Sequence, residues 1–214
     1  MAGSPEDLVR AAAAAGVRDR RVLEALRRVP REGFVPPEYA GEAYLDRPIP
    51  IPHAQVTTQP SLVARMVEAL RLAGGERVLE VGTGYGFQTA LLARLCGFVW
   101  SIERHPDVAE TARRNLSRHS VCNVRVVAGD GTRGLPEEAP FYAILVSAAF
   151  TRVPQPLADQ LAPGGRLVQP VGPGGEEEVV LFEKGPEGGL SRRAVITGAR
   201  FVRLYGDHGF EPPP

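Results

Sequence analysis

After Pro60 the sequence alternates between short apolar runs and segments of helical periodicity. The apolar runs read as strands and cover residues 77–82, 98–103, 124–128, 141–146 and 165–171. The helical segments begin at residue 60 and continue over 89–95, 106–118 and 157–161. Strands and helices in this alternation build βαβ units, so the sequence predicts an α/β fold with a mostly parallel, doubly wound sheet.

The two ends of the chain follow other patterns. Residues 178–184 and 192–204 are strand-like and are separated by a Gly/Pro turn, which predicts a hairpin and an antiparallel strand at the end of the sheet. Residues 1 to about 45 carry helical apolar faces, and 46–60 form a proline-rich connector that we expect to be extended. We therefore divide the chain into an N-terminal segment with connector (1–60), a ligand-binding Rossmann-like domain (61–210) and a frayed tail (211–214).

The charge balance and the cysteine content of the chain argue against several classes of function. Twenty-five basic and 25 acidic residues balance, which argues against general nucleic-acid binding and against attraction to a membrane surface. No apolar stretch reaches the ~20 residues that span a bilayer, and the first residues do not suggest a secretory signal. Cys96 and Cys122 are expected to be reduced thiols of a cytoplasmic protein. No metal site is expected, because cysteines and histidines lack zinc spacing.

The strongest local motif is a glycine-rich loop that ends the first predicted strand and opens a helix. It reads Gly82-Thr83-Gly84-Tyr85-Gly86. Glycines there allow a ligand to approach the backbone, and the helix N-terminus favours an anion. The dinucleotide fingerprint needs a glycine where Phe87 stands, so binding of NAD is disfavoured. A tight turn without a ligand is the alternative.

Acidic residues follow the neighbouring strands. Glu103 lies 21 residues after Gly82, where a carboxylate can accept hydrogen bonds from a ribose diol. Asp130, between two glycines, could accept from an adenine amino group, or it could form an Asx turn. Glu80 interrupts an apolar strand, and a buried carboxylate needs a partner such as a backbone or ligand amine. Ser147 and the alanines after it are small and leave room at the same edge.

This arrangement resembles the Rossmann-like, class I methyltransferases that use S-adenosylmethionine. Their glycine loop has the same G-x-G-x-G form, and their sheet has seven strands with an antiparallel one at the C-terminal end. The resemblance implies S-adenosyl-L-methionine as cofactor, with S-adenosyl-L-homocysteine as product. The cofactor contacts expected from the motifs are Glu80, Gly82, Thr83, Gly84, Tyr85, Glu103, Arg104, Asp130 and Gly131.

Further motifs, in order along residues 20 to 210, are similar to those of the protein-L-isoaspartate (D-aspartate) O-methyltransferase family. They are Gln55-Val56-Thr57-Thr58-Gln59-Pro60, Glu80 to Ala90, Gly129-Asp130-Gly131, Leu161 to Gly165 and Phe201-Val202-x-Leu204. The resemblance implies methylation of the side-chain carboxylate of L-isoaspartyl residues, and less readily of D-aspartyl residues, in damaged polypeptides. The ester then closes to a succinimide, whose hydrolysis returns some normal aspartate.

The resemblance also assigns residue roles. The hydroxyl residue before Gln-Pro is the family's active-site residue, usually serine and here Thr58. Its alternative role is a helix N-cap. Val56, Thr57, Leu204 and Tyr205 are candidate contacts to the substrate backbone, with ordinary packing as the alternative. Tyr85 and Ala54 depart from the family, which has a serine and a glycine there.

A carboxylate is already ionised at neutral pH, so its methylation needs no general base. The departures from the family keep two other functions open. One is methylation of a normal aspartate in a biosynthetic peptide, and the other is S-adenosylmethionine binding without chemistry. The expected partners are isoaspartyl proteins or peptides, and the chain is expected to be a monomer.

Overall fold

The computed structural model describes residues 3–211 and contains a seven-stranded sheet of order β5-β4-β3-β6-β7-β8-β9. Its strands are β3 (Arg77–Val81), β4 (Phe98–Glu103), β5 (Val124–Ala128), β6 (Phe141–Val146), β7 (Leu161–Val171), β8 (Glu177–Lys184) and β9 (Leu190–Ala199). The strands from β3 to β7 pair in parallel, whereas β8 is antiparallel to both β7 and β9. The predicted mostly parallel sheet with an antiparallel strand near its C-terminal end is confirmed.

Helices cover both faces of this sheet. They are α1 (Pro5–Ala14), α2 (Arg20–Arg28), α3 (Pro60–Ala69), α4 (Phe87–Ala93), α5 (Pro106–Arg118) and α6 (Gln155–Gln160). Neighbouring strand residues such as Val78 and Leu79 belong to different apolar clusters, because successive side chains point to opposite faces. The doubly wound architecture therefore buries both sides of the central strands. Within residues 3–211, none of the helices has the length and apolar character of a membrane span.

The proline-rich connector forms a small hairpin and not a single extended segment. Strands β1 (Ile49–Ile51) and β2 (Gln55–Thr57) pair antiparallel with each other. The turn between them places His53 and Ala54 at positive φ, 62° and 54°. Alternate prolines exclude a helix here but leave the extended backbone free to fold back on itself.

The last predicted strand is shorter than the sequence suggests. It ends at Ala199, because the chain then turns away and the N–H of Phe201 donates to the buried carboxylate of Glu177 (2.9 Å). The segment 202–204 pairs instead with Ala149, whose carbonyl accepts from the N–H of Leu204 (2.7 Å). This return brings Leu204 back to the edge of the sheet where β6 ends. Of the predicted tail, residues 212–214 lie outside the described part.

Candidate active site

A cleft opens at the carboxyl ends of β3, β4 and β6. In an open parallel sheet this edge is where ligands bind. The β1–β2 hairpin and residues 202–205, which we call the C-terminal return, also line the cleft. Its lining residues are Ile51, Gln55, Val56, Thr57, Thr58, Val63, Val81, Gly82, Thr83, Gly84, Tyr85, Phe87, Gln88, Ile102, Glu103, Arg104, His105, Gly131, Ser147, Ala148, Val202, Arg203, Leu204 and Tyr205. We call it the cofactor cleft.

The glycine loop forms one wall of the cofactor cleft. Gly82 has φ 97°, and Gly86, which caps the N-terminus of α4, has φ 96°. A Cβ at Gly86 would lie 3.2 Å from Cγ of Leu116, so α5 packs tightly beneath the loop. Phe87 is buried at the start of α4, where the dinucleotide fingerprint would need a third glycine. The loop is therefore built for a ligand other than a dinucleotide.

Glu103, at the end of β4, is the acidic group of this cleft. Its side chain is only 6% exposed. Oε2 accepts from the N–H of Gly84 (2.9 Å), and Oε1 accepts from the N–H of His105 (3.1 Å). A carboxylate has about four acceptor positions, so lone pairs remain for a pair of ligand hydroxyls. This geometry fits the ribose diol predicted from the sequence.

Glu80 does not line the cleft but hydrogen-bonds Gln88, which does. It is 0% exposed, and its carboxylate accepts from Gln88 Nε2 (2.8 Å), Thr89 Oγ1 (2.5 Å) and Ser101 Oγ (2.5 Å). Burial raises the pKa of Glu80 to about 7, while these three hydrogen bonds oppose the rise. The partners that a buried carboxylate needs are thus supplied by the protein. Glu80 is linked to the cleft wall through Gln88, and its contact with a cofactor stays a prediction.

Asp130 has protein partners for both of its carboxylate oxygens. Oδ1 accepts from the N–H (2.8 Å) and the hydroxyl (2.6 Å) of Thr132, and Oδ2 accepts from the N–H of Asp207 (2.8 Å). Burial opposes ionisation, yet these hydrogen bonds leave the pKa of Asp130 below its ordinary value. The Asx-type turn, the alternative interpretation, is what the structure has. Gly131 lines the cleft, whereas contact between Asp130 and an adenine stays a prediction.

The remaining predicted cofactor residues surround the loop. Thr83 hydrogen-bonds Ser101 (2.5 Å between hydroxyl oxygens), which links the loop to β4. Tyr85 lines the cleft, and its carbonyl accepts from Asn115 Nδ2 (3.1 Å). The guanidinium of Arg104 lies over the ring of Tyr205, 4.7 Å from its centroid. The last pair joins the end of β4 to the C-terminal return across the cleft.

A second cleft adjoins the first, between the start of α3 and the end of β9. Thr58 lines both clefts, as do Val56, Ser147 and Val202. Thr58 is not the N-cap of α3, because Gln59 occupies that position and Asp46 Oδ1 accepts from the N–H of Ser61 (2.8 Å). Among residues 3–211 we find no protein hydrogen bond to the Thr58 hydroxyl. The alternative role as a cap is therefore wrong, and Thr58 lies where the two clefts adjoin.

The predicted substrate contacts divide into exposed and buried side chains. Val56 is 45% exposed, so the packing alternative is wrong for this residue. Leu204 is buried and belongs to a core cluster, although it also reaches the cofactor cleft. The Thr57 hydroxyl accepts from Arg31 and from the N–H of Ile49 (3.3 Å), so its side chain holds the hairpin.

Arg31 is the supporting residue that sequence reasoning missed. Its side chain is 0% exposed. The guanidinium donates to the carbonyls of Ala43 and Leu45 (both 2.9 Å), the carbonyl of Arg47 (2.9 Å) and the Thr57 hydroxyl (3.1 Å). Burial lowers the pKa of Arg31 to about 10, so it stays charged at neutral pH. It ties the connector, and with it the backbone before Thr58, to the N-terminal segment. The available signal was an arginine between the apolar residues Val29 and Phe34.

The tip of the hairpin closes the outer side of the cofactor cleft. The ring of His53 stacks on His105, with centroids 4.1 Å apart and planes 3° from parallel. His53 Nε2 also lies 2.9 and 3.0 Å from the two carboxylate oxygens of Asp107. Burial and the neighbouring His53 lower the pKa of His105, which favours the neutral ring beside the cleft. These contacts join the hairpin to the start of α5.

Similar proteins identify what kind of enzyme has this site. The chain matches the family described as protein-L-isoaspartate(D-aspartate) O-methyltransferase over residues 4–209. It is 50% identical over 196 residues to protein-L-isoaspartate O-methyltransferase 1 of Syntrophobacter fumaroxidans, covering 92% of this chain and 91% of that relative. A solved protein-L-isoaspartate O-methyltransferase superposes with TM-score 0.82 and 30% identity, over 96% of this chain and 67% of the other.

A third comparison concerns the fold alone. The solved structure is described as a putative protein-L-isoaspartate O-methyltransferase of Plasmodium falciparum in complex with S-adenosyl-L-homocysteine. It is 22% identical, has TM-score 0.78 and covers 95% of this chain and 99% of its own. The fold and the cleft at its carboxyl edge define a class I, S-adenosylmethionine-dependent methyltransferase. Within that class, the chain belongs to the protein-L-isoaspartate(D-aspartate) O-methyltransferase family.

Proposed function

We propose that this chain methylates the side-chain carboxylate of L-isoaspartyl residues, and less readily of D-aspartyl residues, with Thr58 at the point of transfer. The observation on which the proposal rests is that two clefts meet at Thr58. One cleft has the groups for a nucleoside cofactor, and the other is open to a polypeptide. The ester closes to a succinimide, so the chain begins the repair of damaged proteins.

The donor groups of the cofactor cleft fit S-adenosylmethionine. Glu103 offers free lone pairs to the ribose diol, and the glycine loop allows close approach. Gln88 lines the same cleft, and its Oε1 is a buried acceptor without a partner among the described residues. When bound, S-adenosylmethionine supplies a methyl group on a cationic sulfur, which leaves as a neutral thioether once a carboxylate oxygen takes the methyl group.

Catalysis then depends on position and on a dry site. The substrate carboxylate is ionised near neutral pH, so the chain needs no general base. Val56 and Val202 give the junction an apolar lining, and a peptide bound there would exclude water, which favours a reaction that neutralises charge. Thr58 donates a hydrogen bond to the carboxylate and holds it in line for attack.

The second cleft is the proposed path of the substrate backbone. Val56 contacts the peptide at the junction, and the C-terminal return with Leu204 and Tyr205 borders it on the other side. Thr57 contributes through its backbone, because its hydroxyl is held by Arg31. In this division residues 1–60 complete the substrate site and 61–210 hold the cofactor. Recognition of the backbone would suit an enzyme that accepts many flanking sequences.

We also propose a monomer that acts in the cytoplasm on isoaspartyl proteins or peptides and does not bind nucleic acid. Balanced charge supports the last point, since 25 basic residues face 25 acidic ones. The relatives reported above carry the name of the repair methyltransferase. They favour neither methylation of a normal aspartate in a biosynthetic peptide nor a module without chemistry.

The proposal is tested with two peptides that differ only in Asp against isoAsp. The chain is incubated with methyl-labelled S-adenosylmethionine, and base-labile methyl ester is measured on each peptide. We expect label on the isoAsp peptide alone. Label on the Asp peptide, or on neither while cofactor binding is intact, would overturn the proposed substrate.

The first prediction concerns the role of Glu103 in cofactor binding. The Glu103→Ala variant should bind S-adenosylhomocysteine about 1.5–3 kcal/mol more weakly, the range for hydrogen bonds to a charged group. Isothermal titration calorimetry measures the difference. Glu137→Ala, at an exposed acidic residue outside the cleft, is the control and should leave affinity unchanged. Wild-type affinity in Glu103→Ala would remove Glu103 from the site.

The second prediction concerns the role of the Thr58 hydroxyl in turnover. Thr58→Val keeps the shape but loses the hydroxyl, so turnover of the isoAsp peptide should fall about tenfold while cofactor affinity is unchanged. Thr58→Ser keeps the donor and should retain most activity. Steady-state kinetics and calorimetry on both variants separate the two effects. If Thr58→Val turned over at the wild-type rate, the hydroxyl would have no part in catalysis.

A further inference from the structure

Two residues with hydroxyl side chains, Thr58 and Ser147, line both clefts. The residues shared by both clefts are Val56, Thr58, Ser147 and Val202. Val56 and Val202 offer only hydrocarbon. Thr58 and Ser147 are therefore the shared residues that can hydrogen-bond a charged group at the place where methyl transfer must occur. Ser147 has no role in the function proposed so far.

The backbone of Ser147 is fixed at the edge of the sheet. It directly follows β6, and its N–H donates to the carbonyl of Val81 (2.8 Å). Gly82 lies beside it, and a Cβ at Gly82 would come 3.2 Å from Cβ of Ser147. A glycine is needed at this position both for φ 97° and for the space that the serine occupies. The glycine loop and Ser147 therefore fit together.

The hydrogen bonds around Ser147 decide which way its proton points. Gln88 Nε2 donates to Ser147 Oγ (2.9 Å) and to Glu80 Oε1 (2.8 Å), so both N–H bonds of the amide are used. In its ionised form Glu80 can only accept, so it sets the orientation of the amide. Ser147 Oγ is consequently an acceptor toward Gln88. Its own proton remains available to an acceptor in the junction.

We infer that Ser147 is a second catalytic hydroxyl, which donates to the oxygen of the isoaspartyl carboxylate that does not receive the methyl group. The inference rests on the methyl transfer proposed above. An ionised carboxylate accepts through two oxygens, and a hydrogen bond to one of them fixes the plane of the group and aims the other. Together with Thr58, Ser147 places the attacking oxygen without taking its lone pair.

Three variants at this position test the inference. Ser147→Ala should lower kcat/KM for the isoAsp peptide about tenfold, as expected for a lost hydrogen bond to a charged group. Ser147→Thr keeps the hydroxyl and should recover most of that loss. Ser147→Cys, similar in size but a weak donor, should behave like Ser147→Ala. Ser117→Ala, on the exposed face of α5, is the matched control and should be unchanged.

Two binding measurements separate the possible explanations. Affinity for S-adenosylhomocysteine, measured by calorimetry, should be within about twofold of wild type in Ser147→Ala, since the residue serves the substrate. Affinity of the isoAsp peptide for the S-adenosylhomocysteine-loaded chain should fall with kcat/KM. Unchanged peptide kinetics and binding would overturn the inference, and so would a loss confined to cofactor affinity. A wild-type chain that methylates no isoAsp peptide would instead overturn the proposed function.

Discussion

Replacement of Arg31 by methionine is expected to lower the free energy of unfolding by about 3–5 kcal/mol. The guanidinium is fully buried and satisfies acceptors along the connector, among them the buried carbonyl of Ala43 and the hydroxyl of Thr57. Methionine fills the space but donates nothing, so the carbonyls of Ala43 and Arg47 lose their partner. The Leu45 carbonyl and the Thr57 hydroxyl each keep one backbone N–H, from Arg47 and Ile49. Each orphaned polar group costs roughly 1–3 kcal/mol, so two orphaned carbonyls cost roughly 2–6 kcal/mol, a range that includes the expected loss.

Urea denaturation of Arg31→Met and wild type measures this effect. Arg94→Met, at an exposed position, is the control and should change stability by no more than about 0.5 kcal/mol. Because Arg31 also holds Thr57, peptide KM should rise in Arg31→Met under conditions where the variant is folded. A loss of stability no larger than that of the control would show that the connector does not depend on this guanidinium.

Wild type is expected to lose stability as the pH rises from 4.5 to about 7, and replacement of Glu80 by glutamine is expected to abolish this loss. Burial raises the pKa of Glu80 from 4.5 to about 7, and the nearby charge of Glu103 adds to the rise. Between these pH values the folded chain holds a proton that the unfolded chain releases. The protonated Glu80 therefore makes its full contribution to the free energy of unfolding below pH 4.5. As the pH rises to about 7 this contribution is lost, and the free energy of unfolding falls by about 3 kcal/mol.

The measurement is the difference in unfolding free energy between wild type and Glu80→Gln at pH 4.5 and at pH 8. Glutamine cannot ionise, so the stability of wild type relative to the variant should fall by about 3 kcal/mol over this range. Glu38→Gln, at an exposed carboxyl, is the control for general effects of charge removal. A difference that stays constant with pH would mean that Glu80 titrates as an ordinary carboxyl in the folded chain.

The sequence predicts those parts of the fold that depend on local pattern. Strands β3 to β6 have the predicted cores because each is a short apolar run bounded by turn residues. The early start of β7 at Leu161 was missed, since a register shift against β6 lets residues before Gly165 join the pairing. The end of β9 was also missed, because it depends on Glu177, a partner distant in sequence.

In the site, too, the features that depend on local pattern were predicted and those that depend on distant contacts were not. The glycine loop and Glu103 were predicted because strand ends of a parallel sheet meet at one edge. Ser147 was noted only for its small size, since its role depends on contacts with Gln88 and with a second cleft. For Asp130 the local sequence indicated the Asx turn, but the contact with the distant N–H of Asp207 could not be read from spacing. Residues whose role depends on such contacts cannot be assigned from spacing alone.

Conversion of an isoaspartyl peptide into its normal aspartyl isomer tests the repair function most directly. The chain is incubated with excess S-adenosylmethionine and the isoAsp peptide, and the two isomers and the succinimide are separated chromatographically over time. We expect the isoAsp peptide to decline, the succinimide to appear transiently and the Asp peptide to accumulate. Loss of the isoAsp peptide should be slower in reactions without S-adenosylmethionine and in reactions with Thr58→Val. An isoAsp peptide that persists unchanged beside a folded, cofactor-binding chain would contradict the repair function.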